Sequence, residues 1–288
     1  MGKRKSDCSA PPKCGPCLSC PPCPGCPPCS SCPPCAPCDA CDPCPRCAPD
    51  CCDPSICYAI FDLESTVFDT RHIYQRACRE VVASYNRTLS DEVLIQCGPM
   101  ETAEMAELIC RKCKLPVPWE MFLVLVNEHT FHMIANPPLM AGVERLVAHL
   151  KYCNIGLGLV SSCKKAQLCQ KIQGRDALFN QFDHIICADD PLINQPKPSP
   201  DIYLMAMKRF CCNPCADCFL VFEGTTKGVQ AAHDAHMEVV MVSESSLPCC
   251  WSEQAAARFE TLLDFHPEVY GLPPLPANEP EPPDSSTY

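Results

Sequence analysis

The most constraining feature of this sequence is a series of short apolar runs that alternate with helical patterns. The first run, 58–61, ends in Asp62, and the second, 155–160, ends in Ser161. Three more runs follow along the chain, at 184–187, 218–222 and 238–242. Short apolar runs bounded by polar residues are typical of buried strands in a parallel sheet. Their alternation with helices predicts an α/β fold with a doubly wound parallel sheet.

Polar or acidic residues follow four of these five predicted strands. In open α/β sheets, ligands bind outside the carboxyl ends of the strands. Asp62 therefore stands where chemistry is expected, although an aspartate after a strand also serves simply to cap a turn. Because polar residues recur at the same edge of the sheet, the pattern favours a functional Asp62.

Several amphipathic helical patterns separate the first two strands, including 73–85, 100–113 and 118–134. This insertion is too long for a simple crossover and is typical of a helical cap over an active site. The predicted organisation is a disordered Cys/Pro-rich extension at 1–54, a core at 55–73 and 141–274, a cap at 74–140, and a disordered tail at 275–288.

The N-terminal segment has a repeat of its own. The chain contains 30 Cys and 33 Pro, and from Cys14 to Cys47 a cysteine stands at every third position. A period of three in Pro-rich sequence is that of polyproline II. Three interpretations stay open: a disordered tail, Zn²⁺ or Cu⁺ bound by the N-terminal thiols, and thiol-mediated protein assembly through residues 8–52. Its units resemble the repeats of structural proteins in insect sperm tails.

The charge balance and the apolar pattern restrict the partners. The net charge of −11 argues against nucleic acid, which attracts basic surfaces. No apolar run of roughly 18 residues occurs, so no membrane span is expected. The basic start at 3–5 is not followed by an apolar stretch, so we expect no secretory signal and a cytoplasmic location, with cysteines as thiols or metal ligands.

Four motifs in chain order resemble those of the haloacid dehalogenase-like hydrolases. They are 62–66, Ser161, 197–201 and 223–224. The resemblance covers about 55–274 and is greatest to pseudouridine-5'-phosphatase-like members. It implies a phosphatase (a phosphoric monoester hydrolase) that is Mg²⁺-dependent and acts on a small nucleoside or sugar phosphate.

The resemblance also implies residue roles. Asp62 would attack phosphorus and form an aspartyl-phosphate, and Glu64 would act as acid and then as base. Ser161 would donate to a phosphate oxygen, and Lys197 would neutralise developing charge. Mg²⁺ would be held by Asp62, Glu64 through its carbonyl, and Glu223.

Two positions depart from the family's pattern. Glu64 stands where the family has Asp, which moves the carboxyl group by about 1.5 Å, one C–C bond. Gly224 stands where the family has an Asp metal ligand. We therefore expect weak Mg²⁺ binding and slow turnover, and we expect the reverse substitutions to restore activity. Lys227 would oppose the metal further, whereas Asp189 or Asp190 would replace the lost ligand.

Other interpretations of the same residues remain. Glu64 is also explained as a solvated side chain, Lys197 as a loop lysine and Ser161 as a helix cap. Zinc-like spacing also occurs in a second group, Cys211, Cys212, Cys215 and Cys218, although such spacing arises by coincidence in a Cys-rich chain. The alternative function is a catalytically inactive pseudophosphatase that serves as a binding or structural protein through its Cys-rich arm.

Overall fold

The structure, a computed structural model, describes residues 56–98, 100, 102–210, 214–243 and 248–276. Its sheet consists of β1 Tyr58–Asp62, β2 Gly156–Ser161, β3 His184–Cys187, β4 Phe219–Glu223, β5 Glu238–Val242 and β6 Ala257–Phe259. All neighbouring strands are parallel, in the order β3-β2-β1-β4-β5-β6. The predicted doubly wound α/β class is therefore confirmed. Only β6, three residues long, has no counterpart among the predicted strands.

The strand order fixes where a site can form. From β1 the chain goes outward through β2 and β3, then returns to the other side of β1 with β4. The order thus reverses between β1 and β4, and ligand crevices in such sheets lie at this reversal. Phe61 pairs with Phe222, and Asp62 pairs with Val160. Asp62 therefore ends its strand at the same edge of the sheet as β2 and β4 end.

The helices are α1 Arg71–Ser84, α2 Asp91–Cys97, α3 Thr102–Cys113, α4 Trp119–Ala135, α5 Val143–Tyr152, α6 Lys165–Lys171, α7 Asp176–Phe179, α8 Asp201–Arg209 and α9 Thr226–Asp234. Short 3₁₀ turns occupy Ala216–Cys218, Cys249–Ser252, Leu262–Asp264 and Pro267–Tyr270. Across the described ranges, none of the helices has the length and apolar character needed to cross a membrane.

Strand β1 is buried on both faces. Ala59 and Phe61 belong to an apolar cluster with residues of α5 and α7, whereas Tyr58 and Ile60 belong to a second cluster with residues of α8 and α9. Successive side chains of a strand point to opposite faces, so an unbroken apolar run fits a strand covered by helices on both sides.

Helices α1 to α4 enclose a third apolar cluster, which includes Val82, Ile109 and Phe122. All three side chains are buried, and α4 packs against both α1 and α3. Helices α2 to α4 fall within the predicted cap, 74–140, whereas α1 begins three residues before it, at Arg71. The domain boundaries themselves remain a prediction. The predicted disordered segments, 1–54 and all but two residues of 275–288, lie outside the described residues.

A half-buried histidine on β3, His184, generates a prediction about pH. The ring of His184 lies edge-on to Phe210, with centroids 4.4 Å apart. Burial is the main cause that lowers the pKa of His184 to about 4, below the value near 6.5 of an unfolded histidine. The unfolded chain therefore takes up a proton first, and stability contributed by the neutral ring is lost as pH falls from about 6.5 towards 4.

Between pH 7 and pH 5, the unfolding free energy of the wild type should fall by about 1–2 kcal/mol more than that of the His184→Leu variant, which lacks the titrating ring. Urea denaturation at the two pH values measures this difference. His129→Leu, at an exposed histidine of α4, is the matched control and should keep the wild-type pH dependence. Identical pH dependence in both variants would contradict the prediction.

Candidate active site

The carboxyl ends of β1 and β4 hold a buried cluster of one lysine and two carboxylates. The Nζ atom of Lys197 lies 2.6 Å from Oδ1 of Asp62 and 2.5 Å from Oε1 of Glu223. The exposed fractions of the three side chains are 8% for Lys197, 4% for Asp62 and 0% for Glu223. Residues far apart in the chain thus converge at one point, as the sequence motifs predict for these three.

The loop that carries Lys197 is fixed by Asp201, the first residue of α8. The carboxylate of Asp201 accepts backbone N–H bonds from Asn194 and Gln195, each at 3.0 Å, and a hydroxyl bond from Ser199 at 2.7 Å. The Ser199 bond is the main cause that lowers the pKa of Asp201, and the two backbone bonds add to it. The last residues of the motif therefore hold the loop, and Lys197 at its start extends to Asp62.

Glu223 is bound by donors on several sides. Its carboxylate accepts from Tyr203 Oη at 2.5 Å, from the backbone N–H of Gly224 and Thr225 at 2.9 and 3.0 Å, and from Thr225 Oγ1 at 3.1 Å. Thr225 caps the N-terminus of α9, so the carboxylate lies at the positive end of that helix. A Cβ atom at Gly228 would overlap the Glu223 carboxylate, so only glycine leaves room for it.

The charges of the cluster shift its pKa values. Burial, followed by the Glu223 charge, raises the pKa of Asp62 to about 7, and Lys197 opposes that rise. Burial lowers the pKa of Lys197, but the Asp62 and Glu223 charges outweigh it and raise the pKa overall. Burial, followed by the Glu223 charge, also raises the pKa of Tyr203. Lys197 therefore stays an ammonium, whereas the raised pKa of Asp62 leaves this carboxyl partly protonated near neutral pH.

The other predicted catalytic residues have partners of their own. Glu64, in the loop after β1, forms an ion pair with Lys171 of α6. The hydroxyl of Ser161, at the end of β2, donates to Cys163 Sγ at 2.9 Å and accepts from Cys163 N–H at 3.1 Å. The described contacts of Glu64 and Ser161 do not include Asp62. Their catalytic roles stay predictions.

The structure adds three residues that sequence reasoning missed, Lys171, Tyr203 and Thr225. A threonine directly before a helix is a recognisable cap signal, so Thr225 was open to prediction. Tyr203 occupies an apolar position of α8, and nothing in its spacing distinguishes it from an ordinary core residue. Lys171 is one of two lysines in α6, and its pairing with Glu64 depends on how α6 packs.

The predicted Mg²⁺ ligands do not fit a bound Mg²⁺ in this arrangement. Of the two predicted side-chain ligands, Asp62 binds the Lys197 ammonium, and Glu223 accepts five donors although a carboxylate offers about four lone-pair sites. Across the part of the chain that the structure describes, no group of three His, Cys, Asp or Glu side chains is arranged to hold a metal.

The proposed replacement ligands are engaged at the end of β3. Asp189 accepts the backbone N–H of Lys165 at 3.0 Å, and Asp190 pairs with Arg209 at 3.0 Å. Both carboxylates are therefore bound by partners that do not belong to the Asp62 cluster. Lys227 lies in the first turn of α9.

The structure bears on one of the two thiol groups. The sulfur atoms of Cys215 and Cys218 lie 2.9 Å apart, closer than the about 3.7 Å expected for two thiolates on one tetrahedral zinc ion. Cys211 and Cys212, like the N-terminal thiols predicted to bind Zn²⁺ or Cu⁺, lie outside the described residues.

Comparison with known proteins assigns the family. Residues 59–242 match the family model described as "Haloacid dehalogenase-like hydrolase". The chain belongs to the haloacid dehalogenase-like hydrolases. Among members of this family, it is 32% identical over 219 residues to a "Probable pseudouridine-5'-phosphatase" of Drosophila melanogaster, covering 76% of this chain and 95% of that protein.

Two further comparisons concern a phosphatase relative and a solved structure. The chain is 30% identical to "(DL)-glycerol-3-phosphatase 2" of Arabidopsis thaliana, over 77% of this chain and 93% of the relative. A solved haloacid dehalogenase-like protein of Agrobacterium tumefaciens superposes with a TM-score of 0.63 at 18% identity, covering 73% of this chain and 96% of that one. The last similarity concerns the fold alone.

We expect Lys197→Met to lower the unfolding free energy by about 3–5 kcal/mol, because it leaves two buried carboxylates without their cation. Urea denaturation at neutral pH measures the loss. The matched control is Lys151→Met, which removes a lysine from a partly exposed pair with Asp183 and should cost at most about 1 kcal/mol. Equal losses in the two variants would refute a tightly coupled cluster at Lys197.

Proposed function

We propose that this protein is a phosphomonoesterase that hydrolyses a small nucleoside or sugar phosphate through an aspartyl-phosphate, at a reduced rate. The observation that supports it best is Asp62, placed at the carboxyl end of the central strand where the strand order reverses and paired with Lys197 at 2.6 Å. The relatives from Drosophila melanogaster and Arabidopsis thaliana are named a probable pseudouridine-5'-phosphatase and a glycerol-3-phosphatase, which favours a small phosphorylated metabolite as the substrate.

The proposed reaction has two steps. The Asp62 carboxylate attacks phosphorus, the bond to the ester oxygen breaks, and the alcohol leaves with a proton from Glu64, which must first leave Lys171 and take up that proton from water. Water then attacks the phosphorus of the aspartyl-phosphate and gives a proton to Glu64, which releases inorganic phosphate and restores Asp62. Lys197 offsets the charge of the phosphoryl group during both steps. No step is assigned to a metal ion, because the donor set does not fit one.

Two features explain why the rate should be low. Glu64 is one methylene longer than the family's aspartate and is paired with Lys171, so it must leave this partner to reach the ester oxygen. A misplacement of about 1 Å in a catalytic group can cost ~10²-fold in rate. In addition, Asp62 is buried, so the site must open before a phosphate group can reach the carboxylate.

A second candidate function is a pseudophosphatase that keeps the fold and binds ligands or partners without turnover. It is favoured by the pairing of Asp62 and Glu223, the two carboxylates predicted to bind the metal, with the Lys197 ammonium. The role of the Cys-rich arm in assembly, which belongs to this candidate, concerns residues outside the described ranges.

We expect the purified protein to release phosphate from at least one of pseudouridine 5'-monophosphate, glycerol 3-phosphate and fructose 1-phosphate. Asp62→Asn should lower this rate by about 10³-fold or more, because an amide does not act as the nucleophile. Colorimetric phosphate release measures the rates. Asp69→Asn, in the same loop after β1, is the matched control, since its carboxylate pairs with His72 and lies outside the cluster.

The outcomes separate the two candidates. Phosphate release that survives Asp62→Asn would rule out Asp62 as the nucleophile. No release from any substrate by the wild type, with the fold intact by circular dichroism, would favour the pseudophosphatase.

A further inference from the structure

The loop after β1 closes against the start of the β4–α9 connection. A Cβ atom at Gly224 would lie 2.7 Å from the Cβ of Ser65 and 2.8 Å from its carbonyl carbon, and it would overlap the Ser65 carbonyl oxygen. Real Cβ atoms do not approach other atoms so closely, and the obstacle is largely backbone. The loop therefore occupies the space that a side chain at position 224 needs.

The backbone at this contact is fixed from both sides. Ser65 has a φ of 61°, a left-handed conformation that is uncommon outside glycine. The Arg71 guanidinium donates a hydrogen bond to the carbonyl oxygen of Gly224. That carbonyl oxygen thus already has a cationic partner.

Basic side chains already balance the acidic ones around the site. Lys197 binds Asp62 and Glu223, and Lys171 binds Glu64. Arg71 binds the Gly224 carbonyl nearby. Three positive side chains therefore already contact the three carboxylates and this carbonyl oxygen. A divalent cation placed among them would meet ammonium and guanidinium groups instead of open carboxylate oxygens, and these groups would repel it.

We infer that this site takes its phosphorylated ligand without a divalent cation, with the Lys197 ammonium as the charge next to Asp62. The contact between Ser65 and Gly224 is the structural reason, since it excludes the side chain that would complete a metal site. The inference rests on the proposed function for the identity of the ligand. It opposes the expectation from the sequence that the reverse substitutions restore activity, because an aspartate at position 224 does not fit and so should not restore Mg²⁺ binding.

The first test uses the wild-type protein and needs no turnover. Isothermal titration calorimetry with Mg²⁺ should give no saturable heat at millimolar concentrations. If Mg²⁺ shared the site with phosphate, each ligand would raise the affinity for the other. Because we expect no Mg²⁺ in the site, the affinity for inorganic phosphate should be the same with EDTA as with excess Mg²⁺, within about twofold. Saturable Mg²⁺ binding, or phosphate binding that requires Mg²⁺, would overturn the inference.

The second test concerns the contact itself. Gly224→Asp should lower the melting temperature by roughly 2–8 °C, because the new side chain forces backbone apart, and Mg²⁺ should not restore it. Gly98→Asp, at an exposed glycine with a φ of −56° at the end of α2, is the matched control and should change the melting temperature less. A Gly224→Asp protein of wild-type stability that gains Mg²⁺ binding would contradict the inference.

The two proposals fail in different ways. If the wild type hydrolyses no phosphate ester, the proposed function fails, whereas the metal titration still gives its own answer. If Mg²⁺ binds and hydrolysis proceeds, the phosphatase stands and the cation-free site does not.

Discussion

The Lys197 ammonium between two buried carboxylates is the interaction on which the rest of the site depends. Burying a charge is costly unless it is paired, and here one cation serves Asp62 on β1 and Glu223 on β4 at once. The loop before α8 is thereby tied to the two strands that flank the reversal of strand order. The same coupling that positions the residues for chemistry also makes each of them difficult to remove without loss of stability.

Helix α9 contributes to this cluster through its first turn. The N-terminus of a helix attracts anions because its backbone N–H groups have no partners within the helix. In this chain the Glu223 carboxylate takes that position, bound by the N–H groups of Gly224 and Thr225 and by the Thr225 hydroxyl. Tyr203 completes the set from α8, and Gly228 leaves the space. The junction of β4 and α9 is thus built around an anion that the protein supplies itself.

Much of this architecture could be predicted from the sequence, for physical reasons that particular residues illustrate. Strands buried on both faces leave unbroken apolar runs, and parallel strands bring their carboxyl ends to one edge, so the meeting of Asp62, Lys197 and Glu223 followed from their places at or after strand ends. The pairing of Glu64 with Lys171 leaves no periodic trace, because it depends on where α6 packs. The contact of Ser65 with Gly224 depends on backbone separations of a few tenths of an ångström, which composition and spacing do not encode.

The tight fit of Ser65 against Gly224 also limits how the chain can change by single substitutions. Placing a carboxylate at position 224 first meets the neighbouring loop, whereas reshaping the loop first exposes a glycine with nothing to offer a cation. Each change alone would cost stability without creating a metal site. Only both changes together, with Arg71 released from the Gly224 carbonyl, would give a cation a place to bind. The contact between Ser65 and Gly224 therefore hinders any path of single substitutions that leads from the present arrangement to a metal site.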